Sequence, residues 1–227
     1  MRKTLFTASA LALALAAPFA QAFEAGDIIV RAGAITVDPH EDSSDINHAV
    51  LGDVAGSKAT LDSNTQLGLN FAYMVTDKVG IELLAATPFS HDVGVKGMPG
   101  PYAGLNGKLG SLKHLPPTLS VIYYPLEKTS AFQPYVGAGI NYTWFFDTEL
   151  SSSAEDKGFS GLDMKDSWGL AAQVGMDYML TDNIMLNAQL RYIDIDTTGT
   201  TYLAGDKVKV DVDVDPFVYM VGLGYKF

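Results

Sequence analysis

Ser90, His91 and Asp92 are the residue types of a nucleophile, a base and an orienting acid, and they stand next to one another. Consecutive residues of an extended strand point to alternating faces. A relay needs each group within hydrogen-bond reach of the next, so these three cannot form one without a partner from elsewhere. His114 is the candidate for that partner. A second group, His40 and His48 with Glu41, Asp42, Asp45 and Asp53, contains metal-ligand types. No short regular ligand spacing joins them. A solvated acidic segment, its charges bridged by divalent cations, accounts for the same residues. The sequence predicts no catalytic residue, no metal ligand and no cofactor.

A third set is spread along the chain. Arg31, Asn70, Glu82, Gln173, Asp177, Asn187, Gln189 and Arg191 each sit between apolar neighbours. Opposite charges and amides enclosed together must pair, because an unpaired buried polar group is costly. Whether they are enclosed together depends on the elements that carry them.

Residues 217–227 show the design. Phe217, Tyr219, Val221, Leu223, Tyr225 and Phe227 alternate with smaller or polar residues such as Gly222, Gly224 and Lys226. This period of two belongs to a strand with unlike faces. Aromatic residues end the apolar face and aliphatic residues fill its middle, the order required where a strand crosses a bilayer. The same pattern recurs in seven earlier stretches: 27–37, 61–73, from 79, from 112, 132–146, 167–178 and 184–196. Short turns at 76–78, 125–130 and 181–183 alternate with long segments at 38–60, 90–111, 147–166 and about 197–206. The sequence therefore predicts an all-β protein. Its form is an eight-stranded antiparallel transmembrane β-barrel with long extracellular loops and short periplasmic turns.

Composition agrees. Residues 1–22 read as a cleaved export signal: Arg2 and Lys3, an apolar run from Leu5 to Ala17, then Ala20-Gln21-Ala22. The run is shorter than the about 20 residues of a membrane-crossing helix. Residues 23–227 follow as one barrel domain. The chain has no cysteine, so an exported protein of this kind relies on its hydrogen-bond ladder rather than on disulfides. Acidic residues number 26 against 15 basic ones, which argues against a nucleic-acid partner.

Eight strands enclose room for side chains or one small ligand. The lower, periplasmic half of that interior is the polar set above. The upper half reads as apolar: Ile35, Val37, Leu84, Ala86, Ile193, Ile195, Val210, Val212 and Val214 face inward, while Asp194, Asp196, Lys207, Lys209, Asp211 and Asp213 face water. These residues either line a channel or pack into a dry core. Pro88, also placed on the inward face, and Pro116 with Pro117 fall on neighbouring strands near the outer interface. None has an N–H to give, so the ladder between these strands should open there and form a lateral opening, or simply end.

The chain resembles the OmpW family of outer-membrane barrels. The residues that carry the resemblance are the run from Tyr73 to Phe89 (YMVTDKVGIELLAATPF), His114-Leu115-Pro116-Pro117-Thr118, Gln133 to Tyr142 (QPYVGAGINY), Leu190-Arg191-Tyr192-Ile193 and the terminal Tyr225-Lys226-Phe227. It covers the whole of residues 23–227. The resemblance implies a monomeric barrel in the outer membrane of a Gram-negative bacterium, among lipid and lipopolysaccharide, with Phe227 engaging the barrel assembly machinery. It also implies a hydrophobic passage that stops short of a through-pore and releases cargo sideways by Pro88. Small hydrophobic molecules are the expected cargo for passive uptake. Small amino acids are the alternative, although the upper lumen offers no pair of charges for a zwitterion. A structural or adhesive barrel without transport is the third reading.

Overall fold

The computed structural model describes residues 22–227. The predicted export signal, residues 1–22, lies outside them apart from Ala22. In chain order, β1 (Ile28–Asp38) rises through the barrel and is followed by four short outer strands, β2 (Asp42–Ser43), β3 (Ile46–His48), β4 (Gly52–Val54) and β5 (Lys58–Leu61). The chain descends in β6 (Asn64–Met74) and rises again in β7 (Val79–Ala86), which β8 (Phe89–Lys96) continues outward. It returns through β9 (Gly107–Leu115) and β10 (Thr118–Tyr123), then rises without a break through β11 (Phe132–Leu150). A five-residue helix, α1 (Ser152–Asp156), leads to β12 (Phe159–Met164) and β13 (Ser167–Met179). Then come β14 (Ile184–Ile193), β15 (Asp196–Leu203), β16 (Asp206–Asp213) and β17 (Phe217–Lys226).

Eight of these close the barrel in the order β1, β6, β7, β10, β11, β13, β14, β17, every pair antiparallel, with β17 back on β1. At the closing seam Phe227 N donates to Ile28 O at 2.8 Å. Two of the short turns are pinned alike: the hydroxyl of Thr76 accepts from the N–H of Lys78 and Val79, and that of Thr181 from Asn183 and Ile184.

The outer face is built for lipid. Leu67, Leu83, Val121, Val136, Leu170, Val174, Val221 and Leu223 are all exposed. They lie between a lower aromatic belt that includes Tyr73, Tyr123, Phe132 and Tyr225 and an upper one that includes Trp144 and Trp168. Within the upper belt Tyr142 and Trp168 pack at 4.8 Å between ring centroids. So broad an apolar surface is stable only when hydrocarbon covers it.

Above the upper belt the structure departs from expectation. The long segments are not open loops. β12, β15, β16, β3 and β4 form a second, six-stranded sheet together with β2. β5, β8 and β9 join the outer end of β11. Together they extend the barrel as a wall beyond the membrane. The predicted seventh strand ends at Ile193 and restarts at Asp196, and the eighth is broken at 214–216, where Asp215 has φ 37°.

Candidate functional site

The lower lumen is filled. Arg31 forks onto Asp177, with Nε donating to Oδ1 at 3.0 Å and Nη2 to Oδ2 at 2.6 Å. Its Nη1 donates to Asn70 at 3.1 Å and lies 3.4 Å from Glu82. Glu82 also accepts from Arg191 at 2.6 Å and from the Gln173 amide at 2.8 Å, and Arg191 donates to Gln173. Tyr124 and Asn187 complete the ring around Asp177. Two arginines face two carboxylates, so the group is neutral overall, and all four charged residues are fully buried. The Tyr135 ring lies across Gly175, where a Cβ would come within 2.3 Å of it. Sequence reading placed this polar plug. It missed the floor beneath it, an apolar cluster of Phe23, Ile29, Met74, Tyr124, Met179 and Met185.

Above the plug the lining turns apolar. Ile35, Val37, Leu84, Ile193, Ile195, Val212 and Val214 are buried in one packed cluster, with Ala86 and Val210 against its edge. Of these, Val37, Ile195 and Val214 also border a chamber with room for about one water. Val210 and Val212 border a larger one, enclosing about 900 Å³ of space that is partly open to the outside. Its walls come from both outer sheets and include Ile46, Val54, Val93, Phe159 and Met164, all from segments taken as loops in the sequence, with Leu61 from the start of the predicted second strand. Leu61 borders both chambers.

Pro88, Pro116 and Pro117 mark a break in one seam. β7 pairs with β10 up to Leu84↔Thr118, and pairing resumes at Phe89↔His114 between β8 and β9. Residues 85–88 and 115–117 lie between these points with no ladder pair across them. Each stretch stays fixed on its other side: Ala85 and Ala86 pair with β6, Leu115 pairs with Trp144, and Pro117 O accepts from Tyr142 N at 3.2 Å. The break is therefore level with the upper aromatic belt. The Pro116 carbonyl accepts from the Thr118 hydroxyl at 3.1 Å, which satisfies a group that lipid could not. Pro88 is exposed rather than inward, which corrects the sequence reading. The face changes here: even residues point inward through Leu84, whereas odd ones, Phe89, His91 and Val93, do so beyond the break. An extra residue of this kind reverses every later side chain.

The histidines beyond the break separate from the residues beside them. Ser90 and Asp92 are exposed on the opposite face, and Asp92 pairs with Lys108 at 2.7 Å. His91 and His114 instead meet inside, Nε2 to Nε2 at 2.9 Å, with His91 Nδ1 against the Asp62 carbonyl at 2.5 Å. Both lie above the membrane-spanning strands. Burial holds His91 below the ordinary histidine value, and burial with neighbouring His91 pushes His114 down to about 3. His40 packs edge-on against Phe217, while His48 faces the large chamber. The carboxylates of Asp194, Asp196 and Asp215 gather within 4.8 Å of one another. The sequence did not single them out as a group, because the bend at Asp215 brings them together.

Comparison with known proteins agrees with this architecture. The sequence matches the model of the OmpW family over residues 24–227. It is 45% identical over 227 residues to outer membrane protein W of Vibrio cholerae serotype O1, covering all of both chains. It is 44% identical to outer membrane protein W of Escherichia coli K12, over 97% of this chain and 98% of that one. The crystal structure of the outer membrane protein OprG from Pseudomonas aeruginosa superposes with a TM-score of 0.85 at 52% identity, over 91% of this chain and 98% of that one. With a closed eight-stranded barrel, a lipid-facing surface and a match across its length, the chain belongs to the OmpW family of outer-membrane proteins.

Proposed function

We propose that the protein assists passive uptake of small hydrophobic molecules, which enter the apolar chamber from outside and leave sideways into the outer leaflet through the seam at Pro88, Pro116 and Pro117. The observation that carries this reading is the pairing of an apolar chamber with a sealed lumen below it: cargo that enters has no route through the plug. Apolar concavities favour apolar ligands, and the broken seam is the place where the wall needs the fewest hydrogen bonds undone. A relative from Pseudomonas aeruginosa, 25% identical over 77% of this chain, is named for a dibenzothiophene metabolism operon, which fits cargo of this class. A small amino acid would bring two charges into a wall with no matching pair. In this reading the barrel acts singly, surrounded by lipid and lipopolysaccharide, and Phe227 serves recognition by the assembly machinery.

Uptake into liposomes carrying the purified protein tests this, with a small hydrophobic solute compared with glycine, for wild type and Pro88→Ala. Hydrophobic uptake that falls several-fold in the variant is expected. Uptake of glycine alone would overturn the cargo, uptake unchanged in the variant would overturn the lateral route, and uptake of neither would favour a structural barrel.

A further inference from the structure

The strip that carries Pro88 changes neighbours as it climbs. Up to Ala86 it pairs with β6, ending at Gly68↔Ala86. From Phe89 it pairs with β9, and on its other side pairing resumes only at Leu61↔Val93. Between those two points the described residues 62–67 and 87–92 have no ladder pair between them. Side chains bridge this second gap instead. The Asp62 carboxylate accepts from Asp92 N at 2.6 Å, Asp62 O meets His91 Nδ1 at 2.5 Å, and Gln66 Oε1 accepts from the Thr87 hydroxyl at 3.1 Å. Gln66 is itself braced: its amide nitrogen donates to Asn64 Oδ1 at 2.8 Å, and Asn64 Oδ1 lies 3.5 Å from Ser90 N. A backbone bond, Thr87 N to Leu67 O at 3.0 Å, closes the lower end of the gap.

This gap and the one facing residues 115–117 meet at Thr87 and Pro88, and Pro88 has no N–H to give to either side. An amide at this height is otherwise unexplained. Gln66 lies above the plug, opposite Ile35 on the inward face, where the neighbouring lining residues Ile35, Leu84 and Ala86 are apolar. We propose that Gln66 is the latch of the side opening: its amide, held by Asn64, keeps Thr87 and Pro88 against β6, and release of that bond lets them bow outward and join the two gaps into one. This rests on the uptake reading above and names the residue that regulates its exit. A fully paired strand gives up a run of ladder bonds to open, whereas this corner gives up one side-chain bond and the backbone bond beside it. A lone neutral hydrogen bond favours the closed state by about two- to tenfold, so the latch rests shut and still opens thermally. The chamber is partly open to the outside and the lumen below is filled, so the seam is the step at which the wall must move, and its opening sets the rate.

The test is uptake of naphthalene by liposomes coated with lipopolysaccharide, corrected with protein-free ones. The chain has no cysteine, so Gln66→Cys with Thr87→Cys supplies the protein's two thiols. A short bis-methanethiosulfonate joins them, and dithiothreitol frees them again. We expect uptake by the linked protein to be about tenfold or more below that of the same protein after dithiothreitol, a covalent tie having replaced one hydrogen bond. Gln66→Leu should take up naphthalene about two- to tenfold faster than wild type at an unchanged urea midpoint, whereas a merely structural Gln66 would lower midpoint and uptake together. Equal uptake with and without the link, or unchanged or slower uptake by Gln66→Leu, while the wild type transports, overturns the latch and leaves the uptake reading standing. Wild-type uptake no greater than that of protein-free liposomes overturns the uptake reading itself.

Discussion

On β14, Arg191 is ion-paired with Glu82, and two residues further along Ile193 is buried among aliphatic side chains. The two mark the boundary between opposite ways of filling a narrow barrel. Below it, the polar groups enclosed in the lumen demand partners, so charges and amides knit into one network that fills the passage. Above it, the wall makes no such demand, and an apolar cavity can stay empty at modest cost. The lower region is sealed because it is polar, and the upper region can remain hollow because it is not. The usual expectation of a polar lumen left open to water in an outer-membrane barrel is reversed here.

The contrast is most sharply broken at Glu82, which serves both arginines. Glu82→Gln leaves two buried guanidinium groups facing one carboxylate. It should cost about 3–5 kcal/mol, read as a lower urea midpoint for unfolding. Adding Arg191→Met should recover part of that loss, since removing both partners is cheaper than removing one. Upstairs the effect should fall on function instead. Val210→Asp places a charge in the half-buried chamber wall and should cut uptake of a hydrophobic solute by about tenfold or more. The urea midpoint of the plug should stay where it was.

Acid should separate the two regions in a graded way. His114 is held neutral when folded, with its value pushed down from 6.5 to about 3. The open state takes up a proton as pH falls through 6.5, and the folded state does so only near 3. Stability of the upper wall is thus fully present above pH 6.5 and is lost progressively between 6.5 and about 3. Hydrogen exchange at Phe89, Leu112 and Phe145 should accelerate across that window, with His114→Phe flattening the response. The smallest expected effect is outside the lumen. Trp168→Leu removes the tilted ring contact with Tyr142 at a cost of about 1 kcal/mol and should leave uptake unchanged.

The membrane part of this molecule was readable because two solvents write on it. Lipid outside and a polar lumen inside force unlike faces, so β6 and β13 keep period two over their full length, with Leu67, Phe71 and Tyr73 opposed to Gln66, Asn70 and Met74. The upper wall hid because bulges reset that period. Register shifts fall between Val93 and Gly94, between Ser160 and Leu162 and between Phe146 and Glu149. After each one the inward face of the bulged strand changes parity, from Phe159 to Leu162 and Met164 on β12 and from Leu112 to Leu109 on β9, and such short pieces read as loop. β15 turns Thr197 and Thr201 inward, so it had no apolar stripe to show. Proline 88 was misplaced for the same reason, since it sits where the inward face changes. The His91–His114 contact needed two strands brought into register, and no spacing along one strand announces that.

β11 runs unbroken for 19 residues. At about 3.3 Å per residue and a tilt near 40° it climbs roughly 48 Å, about twice the roughly 25 Å apolar band of such a barrel. The protein is therefore a chimney as much as a membrane span. An oily solute approaching an outer membrane dissolves readily in hydrocarbon, and the hydrated carbohydrate above it is the harder layer to cross. On the uptake reading proposed above, an apolar-walled shaft that begins above the acyl chains and ends beside them exchanges that layer for one short step between two apolar phases. Shortening the chimney by trimming the outer sheet would leave the barrel intact in the membrane and put its mouth back beneath the sugars.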